Sequence, residues 1–423
     1  MIIENIYSKY LECTSISTDT RQIEKGCMFF ALKGDNFNGN LFADEALNKG
    51  AKYVVVDEKE YATTPSHILV EDVLTALQEL AKHHRQQLAI PVIGLTGSNG
   101  KTTTKELIHS VLKQKFNVFA TKGNLNNHIG VPLSVLSITQ AHELAIIEMG
   151  ANHQKEIAFL CTISQPDFGV ITNIGKAHLE GFGGEEGVKK GKKELYDFIK
   201  EHQKHIFINK SDEVLNTIAE GIRQIGYGKN TQIDAQAKEG EEFLTFQLQV
   251  HHQSALVKTN LVGTYNLPNA LCAAAIGYEF GLSFEQICKG LEDYQPDNNR
   301  SELRKTPYNT LILDAYNANP SSMKAALENF SQQQGDKLAI LGDMFELGES
   351  AQREHQEIAD YADKLQVKCF LVGDYFSNTN TYADTFSSKQ ELLEYLEENP
   401  LKNKLILIKG SRGMKLEHII PML

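Results

Sequence analysis

The chain has 423 residues, 41% hydrophobic and 23% charged, and 42 Lys and Arg against 54 Asp and Glu give a formal net charge of −12. This mixture excludes a mostly disordered polypeptide, and at about 150 residues per domain the length predicts about three domains. The acidic balance disfavours sequence-independent binding to a phosphate backbone, so nucleic acid is not an expected partner, although a local amide-lined pocket can still hold an anion.

Apolar runs such as 90–95 and 405–408 are far too short for a membrane span and read as buried strands, so no membrane insertion is expected. The stretch Met1-Ile2-Ile3-Glu4-Asn5 has no basic region ahead of an apolar core, and the expectation is a soluble cytoplasmic protein. Cys13, Cys27, Cys161, Cys272, Cys288 and Cys369 form no Cys-x-x-Cys pair and no His/Cys cluster. Reduced, mostly buried thiols are expected, not a zinc or disulfide scaffold.

In chain order, residues 1–88 read as a small α/β domain, with strands at 28–32 and 53–56 and a closing helix at 73–84. Residues 89–305 open with a strand at 90–95 that runs into a Gly-rich turn. Leu107, Ile108, Val111 and Leu112 then recur at helical spacing. Further strands at 144–147, 170–174 and 205–208 alternate with helical stretches, which predicts a parallel sheet with helices on both faces. Leu244, Phe246, Leu248 and Val250 alternate with Thr245, Gln247 and Gln249, the period of a half-exposed strand in a small antiparallel addition. Residues 306–423 carry strands at 311–313, 338–341, 369–372 and 405–408, three of them ending in Gly342, Gly373 and Gly410. This is a second open α/β sheet of Rossmann-like type, with ligands expected at the carboxyl ends of its strands, facing the central domain.

Thr96-Gly97-Ser98-Asn99-Gly100-Lys101-Thr102-Thr103 lies between a strand and a helix, the setting a phosphate loop requires. Gly97 and Gly100 let backbone N–H groups turn toward phosphate oxygens, Lys101 supplies a cation for the β- and γ-phosphates, and the Thr102 hydroxyl can ligate Mg²⁺. Leu95 stands where the general phosphate-loop pattern has its first glycine. One strand further on, Glu148 ends an apolar run, the place of a second carboxylate that organises magnesium.

The loop variant resembles that of the Mur ligases and folylpolyglutamate synthetases, which couple ATP cleavage to amide-bond formation. Other segments resemble that family in order along nearly the whole chain. Ser17-Thr18-Asp19-Thr20-Arg21 and Phe30-Ala31-Leu32-Lys33-Gly34 resemble its UDP-substrate-binding domain. Thr121 to Pro132 is similar to its substrate-side loop, and Asn173-Ile174-Gly175-Lys176-Ala177-His178 to the stretch whose His binds a second Mg²⁺. Tyr265-Asn266-Leu267-Pro268-Asn269 resembles the adenine-contacting motif, and Asn299-Arg300-Ser301-Glu302 the Arg segment that reaches ATP. Within the family, Asp314-Ala315-Tyr316-Asn317-Ala318-Asn319-Pro320, Leu341 to Gly348 and Lys409 to Met414 resemble the member that adds D-alanyl-D-alanine to UDP-N-acetylmuramoyl-tripeptide. The Asp-Asn-Pro-Arg tetrad of diaminopimelate-adding relatives is absent.

The resemblance implies an ATP- and Mg²⁺-dependent ligase, expected as a monomer, that passes through an acyl phosphate. It implies nucleotide contacts by Gly97, Ser98, Asn99, Gly100, Lys101, Thr102, Thr103, Asn269, Arg300, Asp314 and Asn317. Thr102, Glu148 and His178 are the implied metal ligands, and Lys101, His178 and Lys192 the catalytic groups. Lys192 sits in Gly191-Lys192-Lys193-Glu194, similar to the Ala-Lys-x-Glu motif whose lysine is carbamylated, with Gly191 in place of Ala. Taken singly, Asn266 and Asn269 fit caps of the Ala-rich helix that follows, and Asp314 and Asn317 fit a turn after a strand. His178 fits a surface histidine, and the lysines around Lys192 a solvated basic patch. A phosphate-loop phosphotransferase or NTPase switch is the alternative of a different class.

Overall fold

The structure, a computed structural model, describes residues 2–297 and 299–423. The chain packs as two compact units: one holds the chain up to Leu95 with Phe116–Ala151 and Lys155–Gly169, the other Thr96–Lys115, Asn152–Gln154 and Val170–Leu423.

In the first unit, the strands Ile16–Ser17, Met28–Phe30, Tyr53–Val56 and His67–Leu69 are adjacent in that order and all parallel. Cys27, Phe29, Ala31, Val54 and Val56 join Ala43 and Ala46 in one apolar cluster. The helix Val73–Gln87 starts at Asp72, whose carboxylate accepts the Thr75 N–H, and Val73, Ala76, Leu77, Leu80 and Ala81 form its buried stripe. His84, in its last turn, is buried with Nε2 2.8 Å from the Ile138 carbonyl and Nδ1 3.3 Å from the Tyr7 hydroxyl.

A six-stranded sheet runs in the order Arg223–Tyr227, His205–Asn209, Phe168–Ile171, Val92–Thr96, Leu144–Glu148, Val118–Ala120. Every residue of Val92–Thr96 and Leu144–Glu148 is buried. Unbroken apolar runs suit strands covered on both faces, whereas alternation suits an exposed face. Phe246, Leu248 and Val250 are buried and Gln247 and Gln249 exposed in the middle strand of an antiparallel trio, Ile233–Ala237, Thr245–Val250 and Gln253–Lys258. The strand expected over 170–174 stops at Ile171. Thr172 and Asn173 give their hydrogen bonds to the glycine loop instead.

The C-terminal sheet has the order Glu302–Lys305, Thr310–Asp314, Leu405–Lys409, Lys337–Gly342, Cys369–Val372, Asp384–Phe386, the first pair antiparallel and the rest parallel. Leu311, Leu313, Ile340, Phe370, Ile406 and Ile408 form its core. The edge strand Glu302–Lys305 lies ahead of residue 306 and contains no buried residue, so no apolar run announces it. Among the described residues, no helix is long and apolar enough to cross a membrane.

Candidate active site

The loop after Val92–Thr96 is shaped by two glycines. Gly97 has φ +144° and Gly100 φ +76°, backbone that side chains other than hydrogen rarely adopt. A Cβ on Gly97 would lie 1.9 Å from Thr172 Oγ1, and one on Gly100 would lie 2.8 Å from Asn269 Oδ1. The segment beyond Ile171 then holds the loop open. Ser98 N–H donates to the Asn173 carbonyl (3.0 Å) and Asn99 N–H to Asn173 Oδ1 (3.0 Å), while Thr172 Oγ1 donates to the Asn99 carbonyl (2.6 Å). The Ser98 hydroxyl accepts the Gly175 N–H at 2.9 Å. Ser98 therefore braces the loop with its hydroxyl and Asn99 with its backbone N–H and carbonyl. The helix Lys101–Leu112 starts directly behind it, with Thr102 and Thr103 buried in its first turn. Lys101 Nζ donates to the Gly97 and Ser98 carbonyls at 2.7 and 3.2 Å.

Asn266 stands at the cap position of the helix Leu267–Glu279 but makes no side-chain capping bond. Its Nδ2 donates to the Val262 carbonyl and to Ser301 Oγ, each at 2.9 Å, and its Oδ1 accepts from Asn269 Nδ2 at 3.0 Å. The capping reading is thereby corrected: Asn266 ties down Asn269, which lies beside Gly100. Asn319 caps the helix Pro320–Gln332 by accepting the Ser322 N–H, and donates Nδ2 to Asn99 Oδ1 at 2.7 Å. No sequence signal assigned Asn319 to the loop; Asn-Pro before an apolar stretch announces only the cap.

Asp314, at the end of its strand, accepts from Lys409 Nζ at 2.6 Å, and the same ammonium lies 3.3 Å from the Asn317 carbonyl. The exposed Asn317 side chain accepts the Ala318 N–H at 2.9 Å through Oδ1. Arg300 lies with its guanidinium 3.7 Å from the Tyr316 ring centre, and Arg412 donates to the Tyr316 hydroxyl at 3.0 Å.

His178 adopts φ +53°, and its Nδ1 lies in ion-pair contact with the Glu346 carboxylate. The His178 ring beside Glu346 holds that carboxyl below its usual range. Lys176, two residues earlier, donates to Glu354 Oε1 at 2.8 Å, and this bond raises the ammonium's pKa. Glu346 lies within the Leu341–Gly348 segment noted above, but no sequence signal gave it or Glu354 a place beside His178 and Lys176. On the helix Glu185–Glu201, Lys192 is fully buried with Nζ 5.0 Å from the Phe182 ring centre, whereas Lys190 is exposed and Lys193 pairs with Asp197. A Cβ on Gly191 would come within 2.3 Å of a Phe182 ring carbon, so packing explains the glycine where the motif has alanine. In the other unit, Glu148 is 1% exposed; its N–H donates to Thr121 Oγ1 at 3.0 Å and its Oε1 accepts from Asn126 Nδ2 at 2.9 Å.

A strand, a glycine loop and a helix opened by lysine define an α/β protein of the phosphate-loop nucleotide-binding class. The model of the Mur ligase family catalytic domain matches residues 12–85, that of the Mur ligase middle domain 95–277, and that of the Mur ligase glutamate ligase domain 299–412. The UDP-N-acetylmuramoyl-tripeptide--D-alanyl-D-alanine ligase of Bacillus subtilis (strain 168) is 38% identical, over 96% of this chain and 92% of its own. That of Escherichia coli (strain K12) is 34% identical over 97% and 93%. Among solved structures, MurF from Acinetobacter baumannii superposes with a TM-score of 0.89 at 32% identity, covering 99% of this chain and 97% of that one. MurF ligase from Thermotoga maritima in complex with ADP gives 0.87 at 27% identity, covering 98% and 97%. The chain belongs to the Mur ligase family.

Proposed function

We propose that this protein joins D-alanyl-D-alanine to UDP-N-acetylmuramoyl-tripeptide at the expense of ATP, completing a peptidoglycan precursor peptide. The observation that carries this reading is the braced phosphate loop in a chain similar from end to end to ligases named for that reaction. A free carboxylate is a poor acyl donor at neutral pH. The tripeptide's terminal carboxylate attacks the γ-phosphate, ADP leaves, and an acyl phosphate forms. The amine of D-alanyl-D-alanine then attacks that carbonyl, and inorganic phosphate departs as the amide forms. The protein's part is positioning and charge stabilisation.

In this reading the loop of residues 97–103 cradles the phosphates, through N–H groups other than those of Ser98 and Asn99, which Asn173 holds, and Lys101 neutralises the charge that builds on them. Asn269, Arg300, Asp314 and Asn317 hold the rest of the nucleotide. Thr102, Glu148 and His178 would hold Mg²⁺, and a carbamylated Lys192 would orient it. The donor set suits a hard divalent ion: a buried hydroxyl, a buried carboxylate and one imidazole. Bound there, the ion supplies positive charge to the transferring phosphoryl group. The reading includes three domains near 1–88, 89–305 and 306–423, for the UDP substrate, ATP and the dipeptide respectively, in a monomeric cytoplasmic enzyme.

The test is coupled ADP release. Sustained turnover should need both the UDP-tripeptide and D-alanyl-D-alanine, and other amines should not replace the dipeptide. ADP release without either substrate would replace the ligase reading with an NTPase.

A further inference from the structure

His178 and Glu346 touch each other, and both are non-glycine residues with left-handed backbone, φ +53° and +61°. Such residues persist only where their surroundings hold them, and they gather at functional sites. Here the surroundings are specific. Glu346 lies in the loop after the strand Lys337–Gly342, and each neighbouring peptide is pinned. Met344 N–H donates to His355 Nε2 at 2.9 Å, Phe345 N–H donates to Ser411 Oγ at 2.9 Å, and the Glu346 carbonyl accepts the Glu180 N–H at 3.2 Å. His355 is fully buried with Nδ1 2.6 Å from the Ala351 carbonyl, which makes it the Nδ1–H tautomer and leaves Nε2 to accept from Met344. On the facing segment, Lys176 N–H donates to Ser321 Oγ at 3.1 Å while its ammonium binds Glu354. The two segments that carry His178 and Glu346 are thus fixed independently of the pair itself.

A neutral imidazole has one N–H and one lone pair, and a hydrogen bond at one nitrogen decides which nitrogen keeps the proton. Histidines that bind metals are commonly oriented by a carboxylate on the opposite ring nitrogen. We propose that Glu346 is a positioning residue acting through His178: its carboxylate accepts a hydrogen bond from Nδ1–H, which keeps the proton on that nitrogen and so reserves the Nε2 lone pair for the divalent cation. The inference rests on the metal role proposed for His178. Glu346 itself would touch neither the cation nor the substrates.

The full-length protein labelled with ¹⁵N allows the tautomer to be read directly from side-chain nitrogen shifts, with His178→Asn assigning the signal. The wild type should show His178 as the Nδ1–H form. Glu346→Ala should shift it toward Nε2–H, and Glu346→Gln, whose amide oxygen still accepts, should restore it. With ADP bound, titration with Mn²⁺ followed by the paramagnetic signal of the free ion should give about 10- to 100-fold weaker binding for Glu346→Ala. Recovery in Glu346→Gln is expected. A wild-type tautomer and wild-type Mn²⁺ affinity in Glu346→Ala would overturn the proposal. So would a Gln variant as defective as Ala, because that pattern belongs to a plain charge tether. Unchanged Mn²⁺ affinity in His178→Ala would overturn the metal role instead, and the tautomer measurement would still decide what Glu346 does to the ring.

Discussion

Lys101 Nζ donates to the Gly97 carbonyl at 2.7 Å, a bond inside the loop that the nucleotide phosphates are proposed to enter. The ammonium is held over the loop while remaining partly open to solvent. Lys101→Ala should therefore cut turnover by about 10²- to 10⁴-fold through lost charge stabilisation, with the melting temperature lower by only a few degrees. Steady-state ADP release and thermal unfolding check both halves. Near-normal turnover would remove Lys101 from the nucleotide site.

Gly97→Ala should act through the fold. Its Cβ meets Thr172 Oγ1 at 1.9 Å and the Thr172 backbone nitrogen at 3.0 Å, and φ is +144°. Gly183, with φ +74° and open space around its Cβ position, provides the comparison. Urea unfolding should show a loss of about 1 kcal/mol for Gly183→Ala, the cost of the left-handed backbone alone, and clearly more for Gly97→Ala. Equal losses would mean that Thr172 yields without cost.

Among the lysines of the helix Glu185–Glu201, burial singles out Lys192. Enclosed as an ammonium near a divalent cation it would repel the ion; carbamylated, it is an anion with two oxygen donors. Lys192→Ala should lose about 10²-fold or more in turnover, and added short-chain carboxylates should partly restore it. Lys190→Ala and Lys193→Ala should remain active, since those side chains sit outside the packed face. Activity lost equally in all three variants would contradict the assignment.

Asn317 presents its side chain at the surface and is proposed to contact the nucleotide. Asn317→Ala should raise the KM for ATP several-fold, more than that for the UDP-tripeptide, because it removes binding from one ligand only. The reverse pattern in initial-rate measurements would move this residue to the other substrate.

His84 gives a pH dependence of stability. Burial holds its pKa below the ordinary histidine value, against the opposing pull of the Ile138 carbonyl, which accepts from Nε2. As pH falls through about 6.5, the unfolded chain takes up a proton that the folded ring resists, so folding stability declines. The slope from this group is at most about 1.4 kcal/mol per pH unit. His84→Gln should destabilise the protein more at pH 7.5 than at pH 5.5 by chemical unfolding. A difference independent of pH would show that the buried ring protonates freely.

Apolar runs long enough to fill a strand and capped by glycine were sufficient to announce the parallel strands Val92–Thr96, Leu144–Glu148 and Leu405–Lys409, because burial on both faces demands unbroken hydrophobicity. The phosphate loop was equally legible, since backbone conformation and charge at Gly97, Gly100 and Lys101 are local properties. Local rules also misled. The strand at 170 was read three residues too long, because Thr172 and Asn173 have ordinary strand chemistry until the glycine loop claims their hydrogen bonds. Asn266 has the chemistry of a cap yet anchors Asn269. The contacts of His178 with Glu346, Asn99 with Asn319 and Lys409 with Asp314 join residues roughly 95 to 220 positions apart. A polar side chain records its hydrogen-bonding capacity in the sequence but not its partner, and only the packing of the elements that carry two such groups brings them within reach.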